Sequence, residues 1–170
     1  MTTSIALLRG INVGRNNSFP MAELKAICEN TGFKNVRTYI QSGNVLFETE
    51  LSEAEQVNTL EAAIKTSRQK HIPLIIRSAA EMDAVLRHNP FPGALPARVG
   101  VIFLAIPAQA DLFKDVIMDG GEEVIISGRE IYIHFPDGMG RSKLKFPKAA
   151  LEGTMRNINT VAALVKLAAP

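Results

Sequence analysis

The 170-residue sequence predicts an α+β fold built from two related halves. Short apolar segments with the alternation of β-strands are interspersed with segments of helical spacing. In the first half they follow the order β-α-β-β-α-β, the split βαβ arrangement of ferredoxin-like folds. A similar hairpin sequence recurs 85 residues later, at residues 125–128 against residues 40–43. We therefore expect two ferredoxin-like halves packed together, followed by C-terminal helices.

The predicted elements of the first half alternate between strands and amphipathic helices. In order they are a strand at residues 5–8, a helix from Pro20 to Gly32, a hairpin with strands at 36–40 and 45–47, a helix from Ser52, a strand at 74–76 and a helix from Ser78. The last two helices begin with a capping box, in which a serine and a glutamate three residues later satisfy each other's backbone N–H group.

A stretch with three prolines, residues 90–97, separates the halves because proline disrupts regular structure. We therefore place a first αβ half at 1–89, a Pro-rich connection at 90–97, and a second αβ half with C-terminal helices at 98–170. The second half is expected to contain a strand at 99–106, a helix around Leu112, Phe113, Val116 and Ile117, a hairpin at 124–133, and one or two terminal helices capped at Asn159 or Thr160.

Composition excludes several classes of protein. The chain is 46% hydrophobic and 21% charged, as in globular proteins, and lacks the roughly 20-residue apolar run of a membrane span. Its opening residues lack the basic flank of a signal peptide, so we expect a cytoplasmic protein with no membrane partner. The single cysteine, Cys28, excludes an internal disulfide, and its helical spacing with Leu24 predicts core packing.

The opening segment at residues 8–17, LRGINVGRNN, is the first candidate site. A strand followed by a glycine turn and a helix start can present backbone N–H groups to an anion. Its glycine spacing, however, matches neither the P-loop nor the dinucleotide fingerprint. An anion site and an ordinary connection therefore both stay open, although Arg9 directly after an apolar strand favours the anion site, because an idle arginine there is costly to desolvate.

Two later segments have similar chemistry. Residues 140–143 (GRSK) combine a glycine, a hydroxyl and two cations, which suits a phosphate or carboxylate, and a basic surface turn is the alternative. Arg156 and Asn159 repeat the spacing of Arg9 and Asn12. From residue 138 to 170 the chain has six basic residues and one acidic residue, so this segment is locally cationic.

Residue chemistry assigns no catalytic activity, cofactor or metal. His71, His88 and His134 lack metal-ligand spacing, and Ser142 with Lys145 lacks the companion motifs of the penicillin-recognising serine enzymes. Whether the protein is an enzyme, and its oligomeric state, stay open at this point.

Six motifs resemble, in the same order, the bacterial family called domain of unknown function 1697. They are ALLRGINVG at 6–14, PMAEL at 20–24, VRTYIQSGNV at 36–45, NPFP at 89–92, GRSKL at 140–144 and RNINT at 156–160. The resemblance spans nearly the whole chain and implies an α+β fold with two related halves, and it implies no established activity. Arg15 and Ile158 depart from the family pattern, which usually has glycine and tryptophan there.

We expect the polar motifs to converge at the seam between the halves and bind a small anionic ligand, such as a nucleotide or a phosphorylated or carboxylated metabolite. The candidate ligand-binding residues are Arg9, Asn12, Ser42, Asn44, Arg141, Ser142, Lys143, Arg156 and Asn157. One alternative is nucleic acid bound by the basic C-terminal segment, with strand aromatics as stacking surfaces. Another is a protein-interaction or structural module.

Overall fold

The computed structural model describes residues 1–13 and 18–170, and it divides the chain into two compact units. The first unit comprises Met1–Met82 with Lys166–Pro170, and the second comprises Asp83–Val165. The described residues form two four-stranded antiparallel sheets and five α-helices, so the predicted α+β fold class is confirmed.

The first unit is built around a sheet of strand order β2-β3-β1-β4. Its elements are β1 (Thr2–Leu8), α1 (Met21–Asn30), β2 (Lys34–Tyr39), β3 (Asn44–Thr49), α2 (Glu53–Arg68) and β4 (Leu74–Ser78), and α3 (Ala79–Arg87) contains residues of both units. Each neighbouring strand pair is antiparallel, as in the ferredoxin-like arrangement that the element order predicts.

Both predicted capping boxes are present. The Ser52 hydroxyl accepts a hydrogen bond from the backbone N–H of Glu55 at 3.3 Å, and the Glu55 carboxylate accepts one from the Ser52 N–H at 2.8 Å. Ser78 and Glu81 pair in the same way, at 3.1 and 2.8 Å. These exchanges satisfy N–H groups that have no partner inside the helix, which fixes where α2 and α3 begin.

The core of the first unit lies between one sheet face and helices α1 and α2. Phe47 of β3 stacks on Phe33 with ring centroids 4.2 Å apart, and Leu24 and Leu60 contribute from the two helices. Cys28 is fully buried in this cluster, which confirms its predicted core packing, and burial raises the pKa of its thiol to about 12.

The second unit repeats the sheet order as β6-β7-β5-β8. Its elements are β5 (Val99–Phe103), β6 (Glu123–Ser127), β7 (Glu130–His134), α4 (Lys148–Leu151), β8 (Thr154–Asn157) and α5 (Ile158–Ala168), of which the last three residues belong to the first unit. The short strand β8, which pairs with β5 and places Arg156 opposite Val101, is not apparent from sequence because it is only four residues long.

The predicted helix around Leu112, Phe113, Val116 and Ile117 is wrong. These residues lie in a series of turns closed by bonds between residues three apart, such as Val116 N–H to the Phe113 carbonyl at 3.1 Å. The adjacent β-branched residues Val116 and Ile117, followed by Gly120 and Gly121, disfavour a helix. The turns nevertheless bring Leu112, Phe113 and Val116 to the core.

The predicted helix cap at Asn159 or Thr160 is also wrong. The Asn157 side-chain oxygen accepts a hydrogen bond from the Thr160 backbone N–H at 2.9 Å, and α5 begins at Ile158. Asn157 and Asn159 are both close to the start of this helix. Because β8 pairs with β5 as far as Asn157, the helix begins directly after this residue, and Asn157 is the cap.

A buried arginine occupies the same place in both sheets. Arg77 is the next-to-last residue of β4, opposite Ile5, and Arg156 is the next-to-last residue of β8, opposite Val101. They are 1% and 7% exposed, respectively, and burial lowers the pKa of Arg156 to about 10. In each case the following residue caps a helix, so the units match in detail at this point.

Residues from the far end of the sequence complete the first unit. The Arg37 guanidinium on β2 donates a hydrogen bond from Nη1 to the Leu167 carbonyl at 2.5 Å. This bond satisfies a carbonyl in the last turn of α5, which has no partner within the helix. Among the described helices, none is both long and apolar enough to cross a membrane.

Candidate functional site

The first unit contains a pocket of about 560 Å³, and the charged residues among its described lining are all basic. Within the described part of the chain, its lining consists of Arg9, Gly10, Ile11, Phe19, Ser67, Arg68, Lys70, His71, Ile72 and Pro73. The predicted site residue Arg9 therefore lies on a cationic wall, together with basic residues that sequence reasoning did not select.

The ends of β1 and α2 position these cations. Arg9 directly follows β1, and its backbone N–H donates to the Pro73 carbonyl at 3.0 Å, which holds it beside the segment leading into β4. Its side chain is exposed. Helix α2 ends at Arg68, and the residue that caps it, Gln69, has the left-handed conformation with φ of 52°. This turn leads directly into Lys70 and His71.

Arg68 differs from the other cations because the fold already uses its charge. Its Nη1 lies 2.9 Å from the Glu23 carboxylate, its Nη2 donates to the Ser18 carbonyl, and its guanidinium carbon stands 4.5 Å from the Phe19 ring centroid. These contacts attach residues 18–23 to the end of α2. Arg68 is therefore chiefly a structural part of the wall.

Asn12 joins the opening segment to two neighbours. Its side-chain Nδ2 donates to the Phe19 carbonyl at 3.0 Å and to the Gln41 carbonyl at 2.6 Å, while its Oδ1 accepts from the Phe19 N–H at 2.7 Å. The side chain therefore ties residue 12 to Phe19 and to the hairpin residue Gln41. Arg15, which departs from the family pattern, lies outside the described residues.

The hairpin between β2 and β3 packs against the same segment. The Leu8 N–H donates to the Gly43 carbonyl at 2.9 Å, and a Cβ on Gly43, which has φ of +86°, would lie 2.5 Å from Ile11 Cδ1. Asn44 is fully buried, and its Nδ2 donates to the Tyr39 carbonyl at 2.9 Å and to Ser42 Oγ at 3.0 Å. The structure thus brings Asn12 beside the hairpin and gives Asn44 a structural role.

A second pocket, of about 580 Å³, lies in the second unit and carries both signs of charge. The predicted site residues Arg141, Ser142 and Lys143 line it, with Lys145 beside them. Four carboxylates share the wall: Asp115, Asp119, Glu122 and Asp137.

Ser142 and Glu122 hold the GRSK segment in place. Ser142 Oγ donates to the Glu122 carboxylate at 2.8 Å and accepts from the Leu144 N–H at 3.2 Å, and the Gly120 N–H donates to the same carboxylate at 3.1 Å. Hydrogen bonds from its own backbone N–H, then from Ser142 and Gly120, lower the pKa of Glu122. Ser142 therefore orders this turn.

Arg156 and Asn157 lie on β8 and do not line this pocket. The Arg156 Nη1 donates to Thr154 Oγ1 at 2.6 Å and to the Met155 carbonyl at 3.0 Å, and Asn157 caps α5. Both side chains have structural partners within the second unit. A single composite site that uses residues of both units stays a prediction.

Sequence reasoning missed the cations after α2 and the carboxylates of the second pocket. The run RQKH at residues 68–71 is a detectable signal, because three of four residues are basic or histidine at a predicted helix end. The carboxylates give no such signal, since they are spread over 23 positions in loops. Within the described residues, no group of three histidine, cysteine or acidic side chains could hold a metal ion.

Comparison with known proteins identifies the family. A solved structure of a conserved bacterial protein from Streptococcus pneumoniae is similar to this chain, with a TM-score of 0.81, 23% identity, and 99% of each chain covered. At that identity the likeness shows the fold alone. Comparison with curated proteins gives no match. The model of the family described as Protein of unknown function (DUF1697) matches residues 1–132, and the chain therefore belongs to this family.

Proposed function

We propose that the first unit binds a small anionic ligand, with phosphate or carboxylate groups, in the pocket beside Arg9. The observation that carries this proposal is the charge of the wall, which combines Arg9, Arg68 and Lys70 with His71 and has no acidic side chain among the described lining residues. Cations that share one pocket wall attract a negative ligand and strengthen its hydrogen bonds.

The geometry supports a small ligand. The pocket volume of about 560 Å³ lies within the range of roughly 300–1,000 Å³ that is typical of metabolite sites. Arg9 is exposed, so its guanidinium is accessible to an anion in the pocket. The neighbouring Arg68 is held by Glu23 and by the Phe19 ring, so this side of the pocket is ordered before a ligand binds.

Of the nine predicted site residues, the proposed site retains Arg9. Three of the other eight have side chains engaged in the structure. The Asn44 side chain is fully buried, the Arg156 side chain is 7% exposed, and Asn157 caps a helix. Each of these side chains makes a structural hydrogen bond, and a ligand that displaced such a bond would have to offset a cost of about 1–3 kcal/mol.

Nucleic-acid binding has less support than a small anion. Three of the four strand aromatics considered as stacking surfaces, Phe47, Tyr132 and Phe135, are at most 2% exposed. Bases stack on exposed rings, so these side chains offer no platform. Of the basic C-terminal residues, Arg156 is buried, and three others share a pocket wall with carboxylates.

Calorimetric titration of the full chain with pyrophosphate, ATP and citrate tests the proposal. We expect at least one anion to bind, and we expect Arg9→Gln to weaken its binding about tenfold, the cost of a lost charge-assisted hydrogen bond. Lys34→Gln is the matched control, because Lys34 is an exposed cation of the same unit that does not line the pocket. Equal affinity in the Arg9→Gln variant, or no binding of any anion, would rule the proposal out.

A single-stranded oligonucleotide provides the other arm of the same test. Binding to the basic segment would fall steeply with salt, because each phosphate contact releases counterions. Tight, salt-dependent binding that survives Arg9→Gln would favour the nucleic-acid alternative.

A further inference from the structure

The pocket of the second unit differs from a simple anion site because opposite charges line one cavity. Its wall carries four carboxylates and three cations, which gives a net charge of −1. A purely anionic ligand would be attracted by Arg141, Lys143 and Lys145 and repelled by the four carboxylates. A purely cationic ligand would meet the reverse problem.

The three cations are available to a ligand. Within the described residues, neither Arg141, Lys143 nor Lys145 forms an ion pair, and all three side chains are exposed. The contacts of Glu122 with Ser142 and Gly120 order the turn that presents them. Glu122 therefore serves the scaffold, while the three aspartates are left to face a ligand.

Apolar side chains form the remaining wall of the cavity. Phe135 is buried, Val116, Pro136 and Leu144 are half-buried, and Ile117 is 74% exposed. The apolar surface of an exposed isoleucine beside a cavity stabilises a bound ligand, because its removal from water is favourable. The volume of about 580 Å³ is large enough for an apolar group together with its charged ends.

We propose that this pocket binds a small zwitterion with an apolar body, in which an ammonium group contacts the aspartates and a carboxylate contacts the cations. The ligand chemistry is that of a free apolar amino acid or a short apolar peptide. Such a molecule matches the cations, the carboxylates and the apolar wall of the pocket. An inorganic anion matches the cations alone. The site shares no residue with the pocket beside Arg9.

Titration of the full chain with four dipeptide probes tests the match. They are L-leucyl-L-leucine, its N-acetyl form, its C-terminal amide and glycylglycine. We expect leucyl-leucine to bind, and we expect each of the others to bind about tenfold or more weakly, because each lacks one charge or the apolar body. N-acetyl-leucyl-leucine binding as well as the free peptide, or no binding of leucyl-leucine, would overturn the proposal.

L-leucine distinguishes the two sources of this chemistry. Binding equal to that of the dipeptide indicates a site for free amino acids, and binding of the dipeptide alone indicates a site for peptides. Both results support a zwitterion site.

Variants then locate the bound probe. We expect Arg141→Gln and Asp119→Asn each to weaken leucyl-leucine about tenfold, since each removes one partner of a charged end. Lys148→Gln, an exposed lysine of α4 outside the cavity, is the matched control, and Arg9→Gln should also leave affinity unchanged. The melting temperatures of the unliganded variants show whether each is folded. Unchanged affinity in both pocket variants would overturn the site.

Discussion

The two units build the same sheet and differ in the connections around it. Both have four antiparallel strands in the same order, with a buried arginine and a helix cap at the end of the last strand. After the first strand, however, the first unit continues into α1 and the second into a series of turns. The pocket of the first unit is cationic, whereas that of the second carries both signs of charge. The strands set the scaffold, and the connecting segments determine the chemistry.

The hairpin glycines provide the most severe test of this similarity. Gly43 and Gly128 both have positive φ, but a Cβ would meet Ile11 and Leu8 at position 43 and no atom within 4 Å at position 128. We expect Gly128→Ala to cost about 1 kcal/mol from backbone strain alone, and Gly43→Ala about 3 kcal/mol because overpacking adds to it. Urea unfolding of each variant measures these costs.

A double variant identifies the cause of the larger cost. Ile11→Ala should relieve part of the penalty of Gly43→Ala, so the two substitutions together should cost less than their sum. Additive costs, or equal costs at positions 43 and 128, would show that contact with Ile11 is not what separates the two hairpins.

The alkaline stability of the two units should differ through Cys28. Because burial raises the pKa of its thiol to about 12 from an ordinary value of 9.0, the thiolate forms far more readily in the unfolded chain. The stability it contributes is present below pH 9 and is lost between pH 9 and 12, at about 1.4 kcal/mol per pH unit. Cys28→Ala should remove this slope, as measured by urea unfolding from pH 8 to 10.5.

Arg156 in the second unit has the opposite effect on how stability depends on pH. Burial lowers its pKa to about 10, so the unfolded chain holds this proton more tightly, and stability rises as pH increases beyond 10.

The other titrating groups are shared by the wild type and Cys28→Ala, so the difference between them isolates the thiol. Identical slopes in the two proteins would contradict the predicted burial effect.

The helix caps that follow the buried arginines should be of similar importance. We expect Ser78→Ala and Asn157→Ala each to lower the free energy of unfolding by about 1 kcal/mol, because each exposes an unpaired N–H group at a helix start. Asn157→Asp keeps a capping oxygen and is the control, with a cost of no more than a few tenths of a kcal/mol. If only one of the two alanine variants lowered the free energy of unfolding, the caps at positions 78 and 157 would not contribute equally to stability.

The smallest expected effect concerns Glu122. Its own backbone N–H and the Ser142 hydroxyl are the first two causes that lower the pKa of this carboxyl. Ser142→Ala should therefore raise the pKa of Glu122 towards its ordinary value without reaching it, because the backbone donors remain. A pH titration followed by NMR measures this, with Glu55 of the first unit as an internal reference whose pKa should not move.

Local sequence signals predicted most of the first unit correctly. Ser52 with Glu55 and Ser78 with Glu81 marked two helix starts, and the apolar spacing that includes Cys28 marked the buried face of α1. Such signals act within a few residues, so they can be read without knowledge of the tertiary structure.

Errors arose where tertiary pairing decides the local structure. The pattern around Leu112 and Val116 fits a helix face, yet three-residue turns deliver the same side chains to the core. Strand β8 exists because β5 offers it a partner, and this pairing moves the helix cap to Asn157. In the candidate site, Arg9 was predicted from sequence because it directly follows a strand. Lys70 was not, because it lies on the same pocket wall as Arg9 only in the folded protein.

The hydrogen bond from Arg37 to the Leu167 carbonyl has a consequence for the order of events during synthesis. The first unit draws on residues 1–82 and 166–170, so a nascent chain carries an incomplete version of it while the ribosome adds more than 80 intervening residues. During that interval the Arg37 guanidinium has no Leu167 carbonyl to bind, and the surface around β2 awaits the last turn of α5. The first unit therefore begins to emerge before the second unit and is completed only after it.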